Sequence, residues 1–171
     1  MGAQKKHSPA ARVARVAVLV SVALVLAYVE RLVPAPVPVP GIKLGLANLS
    51  ALVALYLFGW REALTVSVLR VLLGGAMFGS GFSMVYALCG AACAFAAMAL
   101  AKGFFGLHVV TVSAIGGLVH NLAQMAVAAL VVQTAELFYY LPMLILSGVI
   151  TGTLMGTMAA ILIARLEKLH I

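Results

Sequence analysis

The sequence predicts an all-α integral membrane protein, a six-helix transmembrane bundle. Hydrophobic residues make up 65% of the 171 residues, charged residues make up 9%, and aspartate is absent. Because one crossing takes about 20 apolar residues, a chain of this length has room for about six crossings and no soluble domain. The basic residues stand at the ends of the apolar runs, where they act as topology signals. They form no stripe suited to nucleic acid.

The basic residues also predict the segments of the chain and its orientation. We expect a basic N-terminal tail at residues 1–12, a six-helix domain at residues 13–164 and a C-terminal tail at residues 165–171. With the N-terminus inside, eight Lys and Arg residues lie at cytoplasmic ends, and only Arg31 and Lys43 lie outside. Because positive charge accumulates in cytoplasmic loops, both termini are predicted to be cytoplasmic, in a multi-pass protein of the bacterial plasma (inner) membrane.

The expected helices follow the apolar runs in order. They cover residues 13–32, 42–58, 62–78, 82–101, 109–133 and 141–164. Four prolines separate the first two helices, and each fixes φ and lacks an N–H group. Residues 33–41 are therefore predicted to form an extended external loop. Lys102 to His108 are expected to form the loop between the fourth and fifth helices.

Small residues four positions apart occur repeatedly in the first helix, and Ala17 and Ser21 are one such pair. This spacing lets another helix backbone approach closely. Two interpretations stay open. Either the small residues pack against other helices of this chain, or Ala14, Ala17 and Ser21 form a face on which a partner docks.

Arg70 is the strongest single-residue signal, because it lies near the middle of the third apolar run. An arginine that faces lipid at that depth costs at least about 2.5 kcal/mol, so its side chain must face the protein interior or a wet cavity. It either contacts a ligand or forms a structural ion pair, for which Glu30 is the most plausible acid.

The fifth helix holds the densest set of polar residues. His120 and Gln124 share a face with Gly116 and Gly117, and Asn121 is adjacent. These groups suit a polar ligand, although hydrogen bonds between helices are an equally good explanation. In the sixth helix, glycines at positions 148, 152 and 156 predict close contact with a helix that the spacing alone does not identify.

Four strings of residues carry a resemblance to a known family. They are Gly41-Ile-Lys-Leu-Gly-Leu-Ala-Asn48, Arg70-Val-Leu-Leu-Gly74, His120-Asn-x-x-Gln124 and Tyr140-Leu-Pro142. From Glu30 onward the chain resembles the Gx transporter family, also named heptaprenyl diphosphate synthase component I. That family is similar to the S components of energy-coupling factor (ECF) transporters. The resemblance implies six helices, a vitamin-like solute held near the outer face, and docking through helix one onto a coupling subunit driven by two ATPases.

The protein is predicted to take up a small solute, which is anionic or resembles a vitamin or a quinone precursor. Its cationic contacts are Lys43 and Arg70, its hydrogen-bonding residues are Asn48, His120, Asn121 and Gln124, and its aromatic walls are Tyr86 and Tyr140. Two cations with aromatic rings favour an anionic or carboxylated molecule. No metal, cofactor or nucleic-acid partner is expected, and Cys89 and Cys93 are interpreted as packing residues.

Two other functions were weighed. A polyprenyl diphosphate synthase normally holds magnesium with clustered carboxylates, whereas the four glutamates of this chain are dispersed. We therefore expect no catalysis by this chain, and any link to isoprenoid synthesis to be non-catalytic. A self-contained channel or secondary transporter would need an ion relay, for which His120 is the sole candidate. The sequence contains no GxxxxGK[ST] loop, so ATP-driven uptake requires partner subunits.

Overall fold

The computed structural model describes residues 8–32 and 44–169, which form six α-helices and one short 3-10 helix. The α-helices are α1 (Pro9–Leu32), α2 (Asn48–Leu57), α3 (Trp60–Phe78), α4 (Gly81–Phe105), α5 (Val109–Val132) and α6 (Leu141–Lys168). The 3-10 helix, Ala135–Tyr140, precedes α6. The described residues contain no β-strand, so the prediction of an all-α six-helix protein is confirmed.

Within residues 8–32 and 44–169, four helical segments are long and apolar enough to cross a membrane. They are Pro9–Leu32, Gly81–Phe105, Val109–Val132 and Glu136–Lys168, the last of which contains α6. The other two of the six helices, α2 and α3, do not meet this criterion. Helix α3 is 19 residues long but carries Arg61, Glu62 and Arg70, which lower its apolar character.

Helix α2 differs most from its prediction. It has ten residues instead of the expected run from position 42 to 58, so it rises only about 15 Å, half of the roughly 30 Å hydrocarbon layer. Gly45 has φ +78°, and its carbonyl accepts a hydrogen bond from Asn48 N at 2.9 Å. Because left-handed φ suits glycine, the chain turns here and the helix starts later. Seven of the ten residues are buried, so α2 is an internal half-length helix.

Helices α5 and α6 contact each other through their glycines. A Cβ on Gly117 would lie 2.3 Å from Gly148 O, and one on Gly152 would lie 2.6 Å from Ser113 O. Side chains at these positions would therefore force the two backbones apart. The close contact predicted from the glycine spacing of the sixth helix is confirmed, and the structure identifies its partner as α5.

The small residues proposed for docking lie on the outside of α1. Ala14, Ala17 and Ser21 are exposed, whereas Val20 and Ala23 are buried against the bundle. The Ser21 hydroxyl donates to Ala17 O at 2.9 Å, which satisfies this polar group within the helix. These three residues therefore do not pack inside the chain.

The bundle has two ends with different contacts. At one, the Glu30 end, α1 stops and α2 starts, and the Arg31 guanidinium donates to Phe78 O at the end of α3. At the other, the Lys102 end, the Tyr56 hydroxyl donates to Leu107 O at 2.9 Å. Lys102 lies within α4, not in a loop as predicted, because α4 continues to Phe105 and closes on Gly106 in a left-handed conformation.

Candidate functional site

A cavity of about 110 Å³ lies inside the bundle, between its middle and the Glu30 end. All six α-helices contribute to its walls. Its lining residues are Glu30, Gly45, Ala47, Asn48, Arg70, Val71, Ala87, Gly117, His120, Asn121, Gln124 and Thr151. Five of the eight predicted solute-binding residues, Asn48, Arg70, His120, Asn121 and Gln124, are thus brought together around one space.

Arg70 projects from α3 into this cavity and donates from an Nη atom to Asn48 Oδ1. Its Nε is buried, and no described residue accepts a hydrogen bond from it. Guanidinium has five N–H donors in a fixed fork, so a single amide oxygen leaves most of its capacity unused. Buried donors are normally satisfied, which makes Arg70 the natural contact for an acceptor inside the cavity.

Glu30 lines the same cavity but does not pair directly with Arg70. Glu30 Oε1 accepts a hydrogen bond from Gly45 N at 2.7 Å, which fastens the end of α1 to the turn before α2. Among the described residues the ion pair in contact is Arg12–Glu62, at 2.9 Å and at the Lys102 end. The structural alternative for Arg70, a direct pair with Glu30, is therefore not the arrangement found. The Glu30 carboxylate acts on the Arg70 charge only from a distance.

The polar residues of α5 enter the cavity beside a glycine of α4. A Cβ on Gly90 would lie 2.8 Å from Gln124 Cγ and 3.0 Å from His120 Cε1. Gly90 thus makes the room in which His120 and the buried Gln124 fit. Asn121 also faces α6, where its Nδ2 donates to Leu144 O at 2.8 Å and to Ser147 Oγ at 3.3 Å. For Asn121, hydrogen bonding between helices and lining the cavity both apply.

Two predicted aromatic walls are not part of the cavity. The Tyr86 ring pairs with the Phe82 ring at a centroid distance of 6.3 Å, and its neighbour Ala87 lines the cavity instead. One position along a helix turns the side chain by about 100°, which explains the difference. Tyr140 ends the 3-10 helix and is 48% exposed, away from the lining. The predicted contact Lys43 and the proline-rich loop at residues 33–41 lie outside the described residues.

Some residues of the cavity wall were not predicted from the sequence. Glu30 was predicted only as an ion-pair partner, and Ala87 and Thr151 were not predicted at all. Thr151 offered a signal, since it stands directly before Gly152 in the glycine pattern that faces α5. Ala87 offered none, because alanine is common throughout α4.

Comparison with known families places most of this structure in one of them. A family model described as heptaprenyl diphosphate synthase component I matches residues 19–162, a range that includes every described residue of the cavity wall. Comparisons with curated proteins and with solved structures give no match. The resemblance to this family is confirmed, whereas the similarity to transporter S components stays a prediction.

Proposed function

The chain belongs to the heptaprenyl diphosphate synthase component I family, and from the cavity we propose that it is a substrate-binding membrane subunit for uptake of a small solute. The solute carries an anionic group that Arg70 recognises, and partner subunits supply the energy. Lys43, which lies outside the described residues, is a second candidate contact. The bundle lies in the cell membrane with both termini cytoplasmic, so that the Glu30 end faces outward.

The observation that carries this proposal is the unused hydrogen-bonding capacity of Arg70 in a cavity lined by several polar side chains. Arg70 Nε has no acceptor among the described residues, while Asn48, His120 and Gln124 stand around the same cavity. Asn48 is also the first residue of α2, and a helix N-terminus favours negative charge. An anionic group beside Arg70 and Asn48 would accept a hydrogen bond from Arg70 Nε and would be stabilised by the N-terminus of α2.

The need for partners is supported by the sequence and by α1. The chain has no phosphate-binding GxxxxGK[ST] loop, and the name of its family, component I, implies a second subunit. The exposed face of Ala14, Ala17 and Ser21 offers a surface on which a coupling membrane subunit, driven by ATPases, could dock. This assigns the small residues of α1 to docking and the cavity to binding.

Mass spectrometry of the purified protein tests the proposal. The full chain is purified in mild detergent, and small molecules are extracted and quantified per mole of protein. The wild type is expected to retain a small solute that Arg70→Gln loses. Arg61→Gln is the matched control, because Arg61 is an exposed arginine of the same helix that lies over the Trp60 ring at 5.3 Å. A wild type that retains no small molecule, or equal amounts in all three proteins, would contradict the proposal.

The family name favours a second candidate, a component of a heptaprenyl diphosphate synthase. In this reading the chain assists a catalytic subunit or takes part in chain elongation. A prenyltransferase assay with magnesium, an allylic diphosphate and isopentenyl diphosphate separates the two. Turnover by the purified chain, lost in Arg70→Gln, would replace the uptake proposal by an enzymatic one.

A further inference from the structure

The cavity holds two opposite charges that do not touch each other. Arg70 is bound to the neutral amide of Asn48, and Glu30 is bound to the backbone N–H of Gly45. Both side chains line the same space, yet neither appears in the ion pair that the described residues form. Their charges cancel in sum, but the two side chains form no direct ion pair.

A separated pair of charges selects for a matching solute. In a medium of low polarity each charge is costly unless it gains an opposite partner. A simple anion would relieve Arg70 but would be repelled by Glu30, and a simple cation would have the reverse problem. A solute with one group of each sign relieves both, since the Glu30 carboxylate can accept further donors and Arg70 Nε can donate.

A second, smaller space of about 30 Å³ adjoins the cavity and is mainly apolar. It shares Gly45, Asn48, Gly117 and Thr151 with the larger one. Its remaining walls are Leu44, Leu52, Met98, Ser113, Gly116, Gly152 and Met155. Flexible methionines on two sides adapt to irregular apolar groups. The apolar space is much smaller than the roughly 150 Å³ cavity that admits benzene, so only a short apolar group fits in it.

We propose that the solute is a small zwitterion of the α-amino acid type with a short apolar side chain. Its ammonium group faces Glu30, its carboxylate faces Arg70 and Asn48, and its side chain enters the space between Met98 and Met155. The inference rests on the proposed binding function and names the substrate class of that site.

Matched probes test the charge requirement on the full chain in detergent or nanodiscs. L-leucine and L-valine are compared with their acid-only analogues, 4-methylpentanoate and 3-methylbutanoate, and with their amine-only analogues, 3-methylbutylamine and isobutylamine. Loss of one charged contact is expected to weaken binding about 10- to 100-fold, as measured by calorimetry. Equal or tighter binding of the acid-only analogues would overturn the zwitterion, and so would no binding of any probe.

The variant Glu30→Gln isolates the role of the acid. It keeps an oxygen that accepts from Gly45 N but removes the negative charge, so the preference of the site for L-leucine over 4-methylpentanoate should shrink by about 10-fold. Glu136→Gln is the control, since Glu136 is exposed and lies outside the cavity wall. An unchanged preference in Glu30→Gln would contradict the proposal.

The variant Gly116→Ala tests the apolar space. Gly116 lines this space, and a Cβ on it would lie 2.6 Å from Met98 Sδ. The added methyl group and the displaced Met98 side chain should alter the space and weaken L-leucine more than L-valine. Gly103→Ala is the control, because nothing lies within 4 Å of a Cβ there. If Gly116→Ala weakens the binding of L-leucine and L-valine equally, the side chain of the solute does not enter this space. These tests are independent of the co-purification experiment. If amino acids do not bind but the wild type still retains a small molecule, the substrate class is wrong and the binding function stands.

Discussion

Two cations inside the bundle hold opposite ends of the same short helix, and they are bound very differently. Lys102 Nζ donates to Leu55 O in the last turn of α2 at 2.5 Å and lies 4.4 Å from the centre of the Tyr56 ring. Arg70 donates to Asn48, the first residue of α2, and keeps a buried Nε without a described acceptor.

The helix dipole explains why only one of them is a candidate for binding. The C-terminal end of a helix attracts a cation and the N-terminal end repels it. The dipole of α2 therefore stabilises Lys102, which is only half-buried and also lies over the Tyr56 ring. The same dipole disfavours Arg70, whose buried Nε has no described acceptor. A partly buried cation that the protein satisfies is a structural element. One that is left incompletely satisfied beside a cavity indicates a ligand.

The largest expected effect is on stability, in Lys102→Met. This change removes a charged hydrogen bond and a cation–π contact, for which we expect a loss of about 2–4 kcal/mol in the free energy of unfolding. Unfolding in mixed micelles measures it, with Lys168→Met as the control, since Lys168 is exposed at the end of α6. Solute retention should persist. If Lys102→Met lost the solute but kept its stability, Lys102 would be the binding residue, and the roles assigned to Lys102 and Arg70 would be wrong.

Arg70→Lys should change binding and leave the fold largely intact. The charge stays, but the planar fork that can hold Asn48 and a solute together is lost. We expect affinity for the retained solute to fall about 10- to 100-fold, with a stability change under about 1 kcal/mol. Calorimetry and unfolding of the same preparation measure both. Wild-type affinity in this variant would show that Arg70 acts as a charge alone.

Tyr56→Phe sharpens the account of the Lys102 end. The ring beneath Lys102 remains, but the hydroxyl that donates to Leu107 O is removed. The expected loss is about 1 kcal/mol, smaller than for Lys102→Met and measured in the same unfolding series. Tyr139→Phe is the control, because Tyr139 is 86% exposed. A loss as large as that of Lys102→Met would make the hydroxyl, and not the cation, the main contact.

The smallest effect on the purified protein is expected in Ala17→Leu. Ala17 lies at neither the Glu30 end nor the Lys102 end of the bundle. Ala17 is exposed on α1, so stability should change by less than about 0.5 kcal/mol, and solute retention should be normal. Uptake of solute by cells should nevertheless fall, because a bulky residue blocks close helix approach. Ala76→Leu, exposed on α3, is the control. Normal uptake in Ala17→Leu would contradict docking through this face.

Much of the fold was predictable from composition and spacing. The six helices and the close packing of Gly148, Gly152 and Gly156 follow from the pattern of apolar and small residues. The start of α2 was not predictable, because Gly45 lies in an apolar run that looks helical. In the structure Gly45 adopts a left-handed φ, and its N–H donates to the distant Glu30 carboxylate.

The candidate site was predictable where its residues are polar within apolar runs. Arg70, His120 and Gln124 stand out because each must be satisfied internally, and the structure gathers them around one cavity. The tyrosines were misplaced because their position one turn into a helix does not define the side that they face. The separation of Glu30 from Arg70 depends on the turn before α2, which no local pattern encodes.

The glycine contact between α5 and α6 has a consequence for how a solute could enter and leave. With Gly117 and Gly148 backbones this close, sliding or tilting one helix against the other would collide main chain with main chain. The pair is therefore expected to move as one block. Under the proposed uptake function, we expect the walls that yield to come from α1, α2 and α3, where the Glu30–Gly45 hydrogen bond ties α1 to the turn before α2.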